Sequence, residues 1–134
     1  MTPSQAVGYA LNSVSSITNI VSTRVYNGRR PVGSTLPCIN YFEMPGGIRN
    51  YGIERLTFSV NCRAATAEAA SNLARKVADL FHGTSSSGVY GEQNGFGITR
   101  ASVRQMNGVI YETEDNLYNA PLDIFIVFSS GAVT

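Results

Sequence analysis

The stretch ERLTFSVNCR, residues 54–63, decides the fold. Leu56, Phe58, Val60 and Cys62 alternate with Arg55, Thr57, Ser59, Asn61 and Arg63. Successive strand side chains point to opposite faces, so this period of two predicts a strand with one face in a core and the other polar. The segment that follows changes period. From Thr66 to His82, Ala70, Leu73, Ala74, Val77 and Phe81 share one stripe, while Glu68, Asn72, Arg75, Lys76 and Asp79 lie opposite. That spacing predicts an amphipathic helix, which Gly83 stops, and whose stripe matches the apolar strand face.

Working outward, Cys38 to Met44 reads as a second strand, broken by Pro45-Gly46-Gly47, and the two strands suggest a hairpin. Arg24-Val25-Tyr26 reads as a short strand closed by Asn27-Gly28. Before it, Thr2-Pro3-Ser4-Gln5 starts a helix whose stripe is Ala6, Val7, Ala10, Leu11 and Val14. Ser15-Ser16 interrupts it, and a shorter helical turn brings Ile17, Ile20 and Val21 inward. On the other side, Gly83 to Gly97 is a long Gly/Ser loop. Ile98 to Val103 and Val109 to Glu112 read as strands, and Leu117 to Ser129 as the last strand. Leu122, Ile124, Ile126 and Phe128 share one face of that strand. Phe125 and Val127 make the other face apolar too, so it is covered on both sides or docks on a partner. The order of elements predicts one α+β domain over residues 1–134. It has a mostly antiparallel β-sheet, with N-terminal helices and one central amphipathic helix packed on one face. The sequence carries no internal repeat.

Composition narrows the function. The 134 residues carry a net charge of +1, which does not suit a protein built to coat nucleic acid or an anionic membrane. Charged residues are 14% of the chain, and Lys76 is its one lysine beside nine arginines. Interfaces enrich arginine and deplete lysine, so this leans toward a surface covered by neighbours. No stretch approaches the ~20 apolar residues of a membrane span, and the start has no basic, apolar leader pattern. A cytoplasmic site of synthesis keeps Cys38 and Cys62 reduced, as buried thiols.

No motif carries recognisable chemistry. The Gly/Ser loop follows a helix and precedes a strand, so the helix dipole runs the wrong way for a phosphate loop. His82, Cys38 and Cys62 do not make a standard zinc set. Glu112, Glu114 and Asp115 read as a solvated turn rather than an acid–base pair. No cofactor, metal or catalytic residue is expected. Arg29, Arg30, Arg49 and Tyr51 lie in loop and turn segments rich in arginine, glycine and aromatics, and are expected at subunit contacts. Tyr90 and Phe96 are expected to anchor the 83–97 loop, read as flexible in the free subunit, and Phe125 and Val127 complete the interface set.

An ordered set of segments resembles the tail completion or tail terminator family of long-tailed bacteriophages. The carrying stretches are Val21-Ser22-Thr23-Arg24-Val25-Tyr26, Pro31 and Leu36-Pro37-Cys38-Ile39. Phe58-Ser59-Val60-Asn61-Cys62-Arg63-Ala64 follows, with Thr66-Ala67-Glu68-Ala69 and Leu73-Ala74. Tyr111-Glu112 and Leu117-Tyr118, leading to Leu122-Asp123-Ile124, complete it. The chain departs from the pattern in the 83–97 loop and at Asn119-Ala120-Pro121. The resemblance implies a structural virion protein of the tail or neck, assembled in the host cytoplasm and not an enzyme. It implies a hexameric ring of identical subunits on the head-proximal end of the tail tube. Its partners would be the tail tube protein and the head–tail connector, with DNA only passing through the lumen. Another neck or connector subunit is the near alternative. A small cytoplasmic enzyme or ligand-binding domain is the distant one.

Overall fold

A computed structural model describes residues 3–29, 35–50, 53–81, 91–93, 96–114 and 116–129. Two helices open the chain, α1 (Pro3–Asn12) and α2 (Ser15–Val21). The strands β1 (Val25–Asn27), β2 (Cys38–Glu43), β3 (Ile48–Asn50) and β4 (Ile53–Ala64) precede the long helix α3 (Ala67–Phe81). After it come β5 (Gly91–Gln93), β6 (Phe96–Met106), β7 (Ile110–Glu112) and β8 (Leu117–Ser129). The α+β class and the helix-on-sheet arrangement expected from the sequence are present.

The break between the first two helices falls at Ser13-Val14, not at Ser15-Ser16. Asn12 Nδ2 donates to Gly8 O at 2.9 Å, and Ser13 Oγ donates to Ala10 O at 2.8 Å. These side chains add bonds to carbonyls of the last turns, where Ser13 N also donates to Ala10 O at 3.2 Å, and so close α1. Ser15 and Ser16 instead sit in the first turn of α2. Arg24 then ties α2 to the sheet. Its Nη2 donates to Ile20 O at 3.3 Å and its Nε to Pro37 O at 2.8 Å, beside the start of β2. The long helix starts one residue later than Thr66, which caps it: Ala69 N donates to Thr66 Oγ1 at 3.1 Å.

One sheet runs in the order β1-β2-β4-β8-β6-β5, with β3 attached to β4 and β7 attached to β8. β1 and β2 are parallel, and the other ladders are antiparallel. The centre is the pair β4 and β8, in register from Ile53↔Ser129 to Ala64↔Tyr118. Around it the topology repeats although the sequence does not. β2 and β3 form one interrupted arm against β4, and β6 and β7 form one interrupted arm against β8. Between the pairs Glu43↔Phe58 and Ile48↔Arg55 the first arm takes five steps while β4 takes three. Between Met106↔Leu122 and Ile110↔Asn119 the second arm takes four while β8 takes three. Part of the segment expected to be a plain loop is sheet: Gly91–Gln93 pairs with Phe96–Ile98 as a hairpin. The rest of that segment, residues 83–90 and 94–95, lies outside the described residues, as does His82.

The helices cover one face. Leu56, Phe58, Val60 and Cys62 from β4 meet Ala120, Leu122, Ile124, Ile126 and Phe128 from β8 in one core, with the α3 stripe and Ala6, Val7, Ala10, Leu11, Ile17 and Val21 above them. Phe58 and Phe128 pack edge to face with centroids 6.3 Å apart. Among the described residues, no helix is long and apolar enough to cross a membrane.

Candidate assembly interface

The second face of the sheet has no helical layer among the described residues. Its polar half is knitted together. Arg63 Nε donates to Glu112 Oε1 at 2.9 Å, and Arg63 Nη1 bonds Asn40 Oδ1. Asn40 Nδ2 donates to Gly28 O at 2.9 Å, and Asn119 Nδ2 to Asn61 Oδ1 at 3.1 Å. Asn40, Asn61 and Asn119 are buried despite facing away from the helices. This chain of bonds runs from the end of β1 through β2 and β4 to β7, so it locks the first hairpin to the second. The expectation that Glu112 belongs to a merely solvated turn is corrected here. Its carboxylate holds a guanidinium that would otherwise be left without its anion, which is how a partly buried charge is kept.

Toward the other end the face is apolar and aromatic. Phe125 and Val127 are half-buried, and the Arg104 guanidinium lies 4.8 Å from the Phe125 ring centroid. Exposed apolar side chains gather in two further places. Met106, Val109, Ile110 and Tyr111 line the junction of β6 and β7, and Phe42 and Ile48 flank the break between β2 and β3. Ile110 is 53% exposed and Ile48 55%. Tyr111 stacks obliquely on Tyr118 at 4.9 Å, and its hydroxyl bonds the Asn116 side chain, which fixes the ring beside the edge. Clustered exposed apolar groups on a charge-poor protein mark contact surfaces.

The expected interface residues fall as follows. Arg29 is exposed just after the β1 turn, where Gly28 has φ +89. Arg49 is the middle residue of β3, paired with Glu54 across the ladder, and Phe96 opens β6 opposite Gln93. Arg30, Tyr51 and Tyr90 lie outside the described residues. Arg29 stands apart, at the β1 end of the sheet. The sequence reading missed Phe42, Ile48, Met106, Val109, Ile110 and Tyr111. The run Met106 to Tyr111 around Asn107-Gly108 was a usable signal, because it sets four apolar residues about a turn. Whether such a strand is central or marginal depends on the ladder, which no local pattern reveals.

The cysteines lie within this architecture as buried groups. Burial first, and the nearby Cys38 second, push the Cys62 thiol well above its ordinary range, and Arg63 opposes that only in part. It therefore stays protonated at neutral pH, which suits packing rather than nucleophilic attack. The described residues contain no cluster of His, Cys, Asp and Glu able to hold a metal ion.

Comparison with known proteins accords with a structural role. No curated protein sequence matches. Among solved structures, a chain of the virion of a native gene transfer agent particle superposes with a TM-score of 0.72. It covers 95% of this chain and 94% of its own, at 13% identity, a likeness of fold. The family model described as bacteriophage tail terminator protein matches residues 13–124, from the second helix to the middle of the last strand. With that match over most of its length, the chain belongs to the bacteriophage tail terminator family.

Proposed function

We propose that this structural protein of the phage tail acts as a ring subunit, six copies closing on the head-proximal end of the tail tube. The ring ends tube growth, offers its far side to the head–tail connector and leaves a lumen through which DNA passes. One observation carries the reading beyond family membership. The subunit exposes two separate apolar sets, Met106–Tyr111 and Phe42 with Ile48, on opposite sides of the β4–β8 pair. Head-to-tail contacts need two different surfaces per copy, and when the rotation closes they leave none unsatisfied. A closed ring also has no growing edge in its own plane, which fits a part that ends a polymer.

Electron microscopy of particles made without the protein tests this. Tubes longer than normal are the expected outcome. Tails of normal length that fail to join heads would replace the terminator reading with that of a connector subunit.

A further inference from the structure

We propose that copies of this chain join by strand addition, with β3 of one copy pairing antiparallel with β7 of the next. The proposal deepens the ring reading by naming the contact, and it rests on that reading only for the closure of the ring.

Strand edges make the argument. β2 is covered on its outer side by β1, and β6 by β5. Among the described residues, β3 pairs only with β4, and β7 only with β8. Each therefore presents an outer row of backbone groups with no strand of the described residues against it, and each carries an exposed isoleucine. Native edges are blunted by short length, bulges, cover, proline or charge, lysine above all, because an open apolar edge recruits another strand. Neither Ile48-Arg49-Asn50 nor Ile110-Tyr111-Glu112 contains lysine or proline.

Polarity selects the partner. β8 runs against β4, β7 against β8 and β3 against β4. Across β7-β8-β4-β3 the directions thus alternate. A second copy in the same orientation would bring its β7 to β3 with the alternation intact, so one antiparallel sheet continues through both copies. Position also fits. β3 flanks the start of β4 and β7 the start of β8, and these starts lie at opposite ends of the antiparallel pair, on the order of 30 Å apart along the strands. The second copy is therefore displaced along the strand direction. That displacement puts the covered strands β1 and β2 of one copy and β5 and β6 of the next on opposite sides of the contact, where they do not collide. Strands of a closed sheet tilt, so a regular stagger is compatible with closure. Three residue pairs are a small contact, and Phe42, Met106, Val109 and Tyr111 supply the flanking apolar area that a specific interface needs.

The test uses one lysine on each edge, Ile48→Lys and Ile110→Lys, with mass read by sedimentation at concentrations where the unmodified chain is oligomeric. Both positions are more than half exposed, and a thermal melt checks that each variant folds. Each variant alone is expected to be monomeric. An equimolar mixture is expected to give a one-to-one dimer that grows no further, because one intact β3 and one intact β7 remain. A single variant that still dimerises means a like-with-like contact and overturns the proposal. Oligomers that survive both substitutions overturn it while leaving the ring reading standing. An unmodified chain that forms open filaments, broken by both lysines and reduced to dimers in the mixture, supports the strand contact and removes the ring. A chain that is monomeric at all concentrations overturns both.

Discussion

The two hairpins of the sheet follow one plan and make different demands on the chain. In β2-β3-β4 the arm breaks at Met44 to Gly47, and that break is sterically tight. Gly46 has φ +94, a conformation L side chains rarely adopt, and a Cβ on Gly47 would sit 2.5 Å from the buried Leu56 Cδ2. In β6-β7-β8 the arm breaks at Asn107 to Val109, and a Cβ on Gly108 would meet nothing within 4 Å. Asn107 N donates to Pro121 O at 3.0 Å, so that break is held by a hydrogen bond to β8 rather than by close packing. The first break is thus built into the core, and the second is a surface feature beside Met106 and Ile110. One topology can be satisfied by two kinds of local chemistry, which is why the repeat is absent from the sequence.

The largest expected effect tests whether the hairpins contribute equally to the core. Phe58 and Phe128 are each fully buried and touch one another. Phe58→Ala and Phe128→Ala should each cost about 3–5 kcal/mol in urea unfolding. The double variant should depart from additivity by about 0.5–1.5 kcal/mol, the scale of a direct aromatic pair. A loss under about 0.5 kcal/mol in one of them would mean that hairpin only leans on the other.

The link between the hairpins comes next. Arg63→Met keeps the aliphatic stem and removes the bonds to Glu112 and Asn40, for an expected loss of about 1.5–3 kcal/mol. Arg55→Met, on the same strand and face but exposed, should change stability by less than about 0.5 kcal/mol. Equal effects would show that the Arg63 bonds join nothing that matters to folding.

The glycine contrast is smaller. Gly46→Ala should cost about 1–2 kcal/mol, while Gly108→Ala should stay within about 0.5 kcal/mol of the parent. Thermal melts of the pair suffice, and a reversed order would break the distinction between a packed and an open interruption.

The smallest effect is nil at neutral pH and belongs to the first hairpin alone, which holds both cysteines. Burial raises the folded Cys62 pKa above its ordinary 9.0. Below that value both states keep the proton and stability is unaffected. As pH rises above about 9 the unfolded chain releases the proton and the folded one retains it, so stability falls, by up to about 1.4 kcal/mol per pH unit. Cys62→Ala should flatten that slope between pH 9 and 10, and an unchanged slope would assign it elsewhere. Tyr41, whose pKa burial also raises, adds a similar loss from about pH 10.

Much of this molecule was determined by sequence alone, because its core is written in local periods. The alternation at 54–63 and the stripe at 66–82 give β4 and α3 to within a residue or two, and the alternation from Leu122 to Phe128 marks the buried face of β8. Such patterns depend on which face of one element is apolar, and neighbouring residues settle that. The tertiary structure decided what depends on pairing between distant segments. It made residues 91–93 a strand by giving them Phe96–Ile98 as a ladder partner. It took Glu112 partly out of solvent by bringing Arg63 across from β4, and among the described residues it left β3 and β7 uncovered while covering β2 and β6. An exposed Ile110 and a buried Ile124 are the same residue in similar strand sequence. They differ only in what lies above and beside them, and that is a property of the assembled sheet.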